Sequence, residues 1–154
     1  MQLPREIDPH KGLGPLRFGL TRRATQSLLG DPDRIDDSSV PDWHLWAYDY
    51  YGLEAVFAAD ANWRLVQLDT HDAQYLVARQ SVVGIPWHRF LAIIPRLGLG
   101  DSDHQLVAPG LHAVWFPERD VSVWFNDGVA SNLAWSAQID ASDSYAFPQL
   151  SGAA

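Results

Sequence analysis

Apolar positions recur along this chain with two different periods. In residues 21–30, Ala24, Leu28 and Leu29 share one helical face, Thr21 precedes them as an N-cap, and Gly30 and Pro32 close the segment. In residues 86–98, Trp87, Phe90, Leu91 and Ile94 occupy the i, i+3, i+4, i+7 positions of a second helix, with Pro86 in its first turn. Pro95 has no amide hydrogen to donate, so this helix is expected to end or kink near Ile94. Elsewhere the period shortens to two. Residues 44–51 set His44, Trp46, Tyr48 and Tyr50 on one side of a strand and Leu45, Ala47, Asp49 and Tyr51 on the other. Residues 53–60 and 63–71 follow after Gly52 and Asp60-Ala61-Asn62. Connections this short join antiparallel neighbours and predict a meander.

The helical segments also match each other. Gly19 aligns with Gly84, Leu20 with Ile85, and Leu28-Leu29 with Ile93-Ile94, all at one offset of 65 residues. Two registers compete for the strands that follow. GLEAVF (residues 52–57) and GLHAVW (110–115) match by eye at an offset of 58, which shortens one copy by seven residues. Pairing 44–51 with 111–118, 53–60 with 121–128, and 63–69 with 129–136 keeps the offset at 66 to 68, and we adopt it because order and length are both preserved. Asn126-Asp127-Gly128 then forms a hairpin turn.

One helix and three strands bury too little surface to be stable alone, so two such units must share a core. The expected fold is α+β: one domain spanning residues 1–154, built of two tandem helix-plus-three-strand antiparallel meander repeats, 15–72 and 81–137, with both helices on one sheet face. Residues 1–14 are a lead-in, 72–80 link the halves, and 138–154 form a surface tail held by Tyr145 and Phe147. Residues 31–42 form a loop with five carboxylates and a single Arg34, solvated or presented to a basic partner.

The segment from Phe18-Gly19-Leu20-Thr21 through Leu28-Leu29-Gly30-Asp31-Pro32, followed by a meander and given twice, resembles the tandem-repeat fold of the β-lactamase inhibitor proteins. It is also similar to the single-repeat SmpA/OmlA outer-membrane assembly lipoproteins. The second copy keeps Gly84-Ile85 and Ile93-Ile94 but loses the Leu-Gly-x-Pro ending. The chain departs from the secreted inhibitors in having no Cys, and from the lipoproteins in having neither a lipidation Cys nor a signal. The resemblance therefore implies a protein-binding scaffold rather than inhibition of a β-lactamase.

Composition narrows the function. The absence of Cys excludes disulfides, thiolate catalysis and Cys-ligated zinc. A net charge of −8, with Lys11 the single lysine and ten scattered arginines, counts against nucleic-acid binding. No apolar run approaches a membrane span, and residues 1–14 lack the apolar core of a secretory signal, so a cytoplasmic location is expected. There is no G-x-S-x-G and no phosphate-binding glycine motif; Gly12-Leu13-Gly14 and Gly98-Leu99-Gly100 read as turns. The six histidines lack helical zinc spacing, and no metal or cofactor is expected. Asp69-Thr70-His71-Asp72 is the most suggestive acid–base or metal cluster, its plainer reading being a strand end.

Large aromatics bury much area at small entropic cost and are enriched where proteins bind one another. The expected binding surface combines Trp46, Tyr48, Tyr50, Trp115, Trp124 and Trp135 with the acidic Asp33, Asp36 and Asp37. The sequence thus points to a non-enzymatic binding protein, monomeric or weakly dimeric. Its most specific form is an immunity protein that neutralises a cognate bacterial toxin domain by direct contact. The alternatives are a small-ligand protein or enzyme with a pocket lined by Trp, His (His44 or His71) and Asp, and a structural assembly module.

Overall fold

The structure is a computed structural model and describes residues 2–36 and 42–149. A short hairpin, β1 (Gly12–Leu13) and β2 (Leu16–Arg17), precedes helix α1 (Arg22–Leu29). Strands β3 (Arg34–Asp36), β4 (Trp43–Tyr48), β5 (Leu53–Ala58) and β6 (Arg64–Thr70) follow. A second hairpin, β7 (Leu76–Val77) and β8 (Gln80–Ser81), precedes α2 (Trp87–Leu97). Then come β9 (Asp103–Ala108), β10 (Leu111–Phe116), β11 (Val121–Asn126) and β12 (Val129–Ser136). The small hairpin of β13 (Gln138–Ile139) and β14 (Tyr145–Ala146) is the last pair of strands among the described residues.

The eight long strands form one antiparallel sheet in the order β3-β4-β5-β6-β12-β11-β10-β9. This corrects the expected fold class. The protein is mostly β, each half contributes four strands rather than three, and the helices are only 8 and 11 residues long. The strands that sequence patterning overlooked are β3 and β9, at the two ends of the sheet. An edge strand is half solvated, so it carries little of the apolar alternation that marks a central one.

The halves meet where β12 pairs with β6, from Leu133 opposite Thr70 to Ser136 opposite Gln67. The entrances to the two helices are built alike. Gly19 N–H donates to the Leu65 carbonyl while Leu65 N–H donates to Leu20, and 65 residues on Gly84 donates to Ala130 and Ala130 to Ile85. In the sheet order β10 stands where β4 does on the other side, so GLEAVF and GLHAVW occupy different places.

Local chemistry explains the punctuation. Thr21 caps α1, its side chain accepting from Ala24 N–H at 3.0 Å, and Gly30 leaves the helix at φ 87°. In α2, Pro86 is the N-cap without a side-chain hydrogen bond. The helix runs past Pro95 to Leu97, where the expected stop near Ile94 does not occur. Proline removes one amide bond but keeps a helical φ, and burial of Leu97 holds the last turn. Asp127-Gly128 is a two-residue turn with both residues at positive φ.

The main core lies on one face. It joins Phe90 and Leu97 of α2 to Trp46, Leu68, Val114, Phe125, Leu133 and Trp135 of the sheet, and Leu28 and Leu29 of α1 pack against this cluster. Strand alternation places Val56, Ala58 and Leu45 on the opposite face, where a second small cluster is covered by Tyr145 and Phe147. The C-terminal segment thus closes one corner of the otherwise open face. No helix among the described residues is long and apolar enough to cross a membrane.

Candidate functional site

Register defines a continuous row across the open face. Asp103 of β9 stands beside Trp115 of β10, then come Ser122 of β11, Ala134 of β12, Asp69 of β6, Glu54 of β5, Ala47 of β4 and Arg34 of β3. A parallel row runs from Gln105 through Ala113 and Trp124 to Asn132. Trp115 and Trp124 are therefore diagonal neighbours on one face, close enough for large side chains to act together. Trp115 is 47% exposed and Trp124 half-buried.

The centre of this face is acidic. Asn132 Nδ2 donates to both oxygens of Asp69 at 3.2 and 3.3 Å, and His71 Nε2 lies 3.5 Å from Glu54 Oε1. Burial pushes the Asp69 carboxyl up to about 6, Asn132 pulls it back, Glu54 adds repulsion, and His71 and the Thr70 backbone oppose the rise. At the β3 end, Arg34 is held by Asp49 at 2.9 Å, so its charge is already answered. A shallow concavity of about 150 Å³ lies between that pair and Glu54 and His71.

The expected aromatic surface divides. Trp46 is 9% exposed on the helix-covered face, 4.8 Å from the Phe57 ring. Tyr48 is buried, its hydroxyl donating to the Gly30 carbonyl at 3.0 Å, and burial with Asp31 and Asp33 pushes it up to about 12. Trp135 is fully buried, and its Nε1 donates to the Gly12 carbonyl at 2.9 Å. These three are core, because strand alternation faces them toward the helices. Tyr50 is 87% exposed, but in the β4–β5 turn, edge-on to Tyr51. It borders a separate concavity of about 650 Å³ with Gln2, Arg5, Gln74 and Tyr75. Of the six aromatics, the structure brings Trp115 and Trp124 together on the open face.

The acidic residues divide too. Asp33 Oδ2 accepts from Asp49 N–H at 2.7 Å and so ties the start of β3 to the end of β4. Asp36 is exposed at the β3 edge, across from Leu45, and Asp37 lies outside the described residues. Sequence reasoning missed Glu54 and Asn132. Glu54 is the one charged residue inside an apolar strand, a signal that became useful only once the register set it beside Asp69. Among the described residues, no group of three or more His, Asp or Glu side chains is placed to hold a metal ion.

No family model matches the chain, and no curated protein matches it. Among solved structures, the chain is similar to an extracellular protein containing an SCP domain from Bacillus anthracis str. Ames, with a TM-score of 0.48 and 11% identity. The match covers 79% of this chain and 44% of that one, so the chain spans less than half of its neighbour's length. A likeness at this level carries no functional argument.

Proposed function

We propose that the protein is a non-enzymatic binding module that captures a basic protein partner on the open face of its sheet. In its most specific form it is an immunity protein that neutralises a bacterial toxin domain. The observation carrying this reading is the pairing of Trp115 and Trp124 on a face whose row also holds Asp103, Asp69 and Glu54. Exposed indoles beside carboxylates suit Lys and Arg. The ring takes the cation or its aliphatic stem, while the carboxylate takes the charge. The net charge of −8 steers such a partner inward.

The test uses the native protein and a Trp115→Ala/Trp124→Ala variant as parallel baits in native-host lysate. Mass spectrometry identifies what only the native bait retains, and calorimetry follows with the purified partner. The expected result is a basic protein bound 1:1, at least tenfold weaker on the variant, whose toxicity in bacterial cells is relieved by co-producing the native chain. Unchanged binding by the variant, or no retained protein, overturns the reading.

A further inference from the structure

We propose that the free edge of β9 receives an extended segment of a basic partner, which joins the sheet as a ninth strand. That segment carries Lys or Arg on the face of Asp103 and Trp115 and apolar side chains on the face of Leu106 and Trp87. The inference rests on reading the protein as a binding module and adds the mode by which the partner docks.

The backbone of β9 specifies a strand as its occupant. It pairs with β10 on one side, and among the described residues its other side makes no backbone hydrogen bond. Alternate residues of such an edge direct N–H and C=O groups outward, the template that strand addition uses. Natural edges are commonly blunted by Lys, Pro, shortness or a bulge. β9 is six residues long and contains neither Lys nor Pro. Its register shift leaves Val107 as an extra residue opposite the Leu111–His112 step, so the straight stretch open to pairing is 103–106.

The two faces of that stretch specify the occupant's side chains. On the open face, Asp103 and Gln105 point alongside Trp115 and Ala113. On the helix face, Leu106 is 75% exposed and stands opposite His112, while His104 lies 5.5 Å from the Trp87 ring. Leu91 of α2 is also exposed. His112 stacks on Phe125 at 4.9 Å, its ring 4.7 Å from Trp87, and its Nε2 is buried without a hydrogen-bond partner. An apolar surface that ends in an exposed leucine beside an unsatisfied imidazole is an incomplete one. The complementary strand therefore alternates cationic and apolar residues. A second copy of this chain would bring a further −8 of charge against the first, which disfavours it as the occupant.

The probes are eight-residue peptides: alternating Lys and Val, alternating Glu and Val, and a block peptide of four Lys followed by four Val. Calorimetry and backbone amide shifts are read on the full chain. The alternating Lys/Val peptide is expected to bind at least tenfold tighter than the other two, with shifts centred on residues 103–106. Gln105→Pro and Leu106→Lys are each expected to abolish that binding. Circular dichroism confirms folding, and Leu106→Lys decides the matter if Gln105→Pro is unfolded. Equal binding of all three peptides, retained affinity in folded variants, or shifts confined to the Trp124 and Asn132 region overturn the inference. So does a dimer of the free chain that Leu106→Lys dissociates, because a second copy would then hold the edge. With the natural partner, loss on Trp124→Ala but not on Leu106→Lys sinks the edge alone. The reverse pattern sinks the open-face reading and leaves the edge.

Discussion

Asn132 reaches across the junction between β12 and β6 to hold both carboxylate oxygens of Asp69, at 3.2 and 3.3 Å. The hydrogen bond ties the two halves of the sheet through a side chain that burial makes reluctant to ionise. With its carboxyl raised to about 6, Asp69 binds more protons in the folded protein than in the unfolded chain between roughly pH 4 and 6. Its contribution to stability is therefore complete below pH 4 and is lost as pH rises through 6. The expected loss is on the order of 2 to 3 kcal/mol. Asp69→Asn keeps an acceptor for Asn132 and cannot ionise. Urea unfolding at pH 7.5 should find this variant more stable than the native protein by about 1–2 kcal/mol, with the gap closing at pH 4.5. Parallel pH profiles for the two proteins would refute the assignment.

The same carboxylate gives partner binding a pH dependence. A cation seated against Asp69 and Glu54 favours the ionised form, so it should release a proton from Asp69 on binding. Affinity for the basic partner is then expected to rise between pH 5 and 7.5. Calorimetry in buffers of different ionisation enthalpy should detect the released proton near pH 6. Asp69→Asn should bind more weakly at pH 7.5 and lose most of the slope.

Trp135 and Trp115 show how one residue type serves two roles on opposite faces of the sheet. Trp135→Phe removes indole volume and takes one of two donors from the buried Gly12 carbonyl, which keeps the Asp8 N–H, a loss of about 2 kcal/mol. Trp115→Ala acts at an exposed position and should shift stability by less than about 1 kcal/mol. Equilibrium denaturation of both variants, with the slope against denaturant held constant, separates the roles. Comparable losses would place Trp115 in the fold's support rather than on a contact surface.

Sequence patterning reached the central elements because their physics is local. Thr21 and Gly30 bracket α1 through hydrogen bonds and a backbone angle that involve near neighbours only. The alternation of Val121, Val123 and Phe125 against Ser122, Trp124 and Asn126 directly separates a buried from an open face. The facing of Trp46 and Tyr48 was not legible in the same way. Both sides of 44–51 carry large side chains, and only the covering helices decide which side is inside. β9 was missed because the polar Asp103, His104 and Gln105 look like loop when no second neighbour covers them. The Asp69–Glu54–Asn132 group depends on contacts between residues up to 63 positions apart, which no short window contains.

Gly19 and Gly84 make matching hydrogen bonds at the entrances to α1 and α2, yet their surroundings differ. Both sit at positive φ, 98° and 93°, where a Cβ is strained whatever the space around it. A Cβ on Gly84 would meet nothing within 4 Å, whereas one on Gly19 would stand 3.0 to 3.3 Å from the Phe147 side chain. Gly84→Ala should therefore lose about 1–2 kcal/mol from backbone strain alone. Gly19→Ala should lose that and about 1 kcal/mol more as Phe147 is displaced from the cluster it covers. In a double-mutant cycle, Phe147→Ala should recover the additional loss in the Gly19→Ala background and do nothing for Gly84→Ala. Additivity of Gly19→Ala and Phe147→Ala would mean that the C-terminal segment does not rest on the α1 entrance.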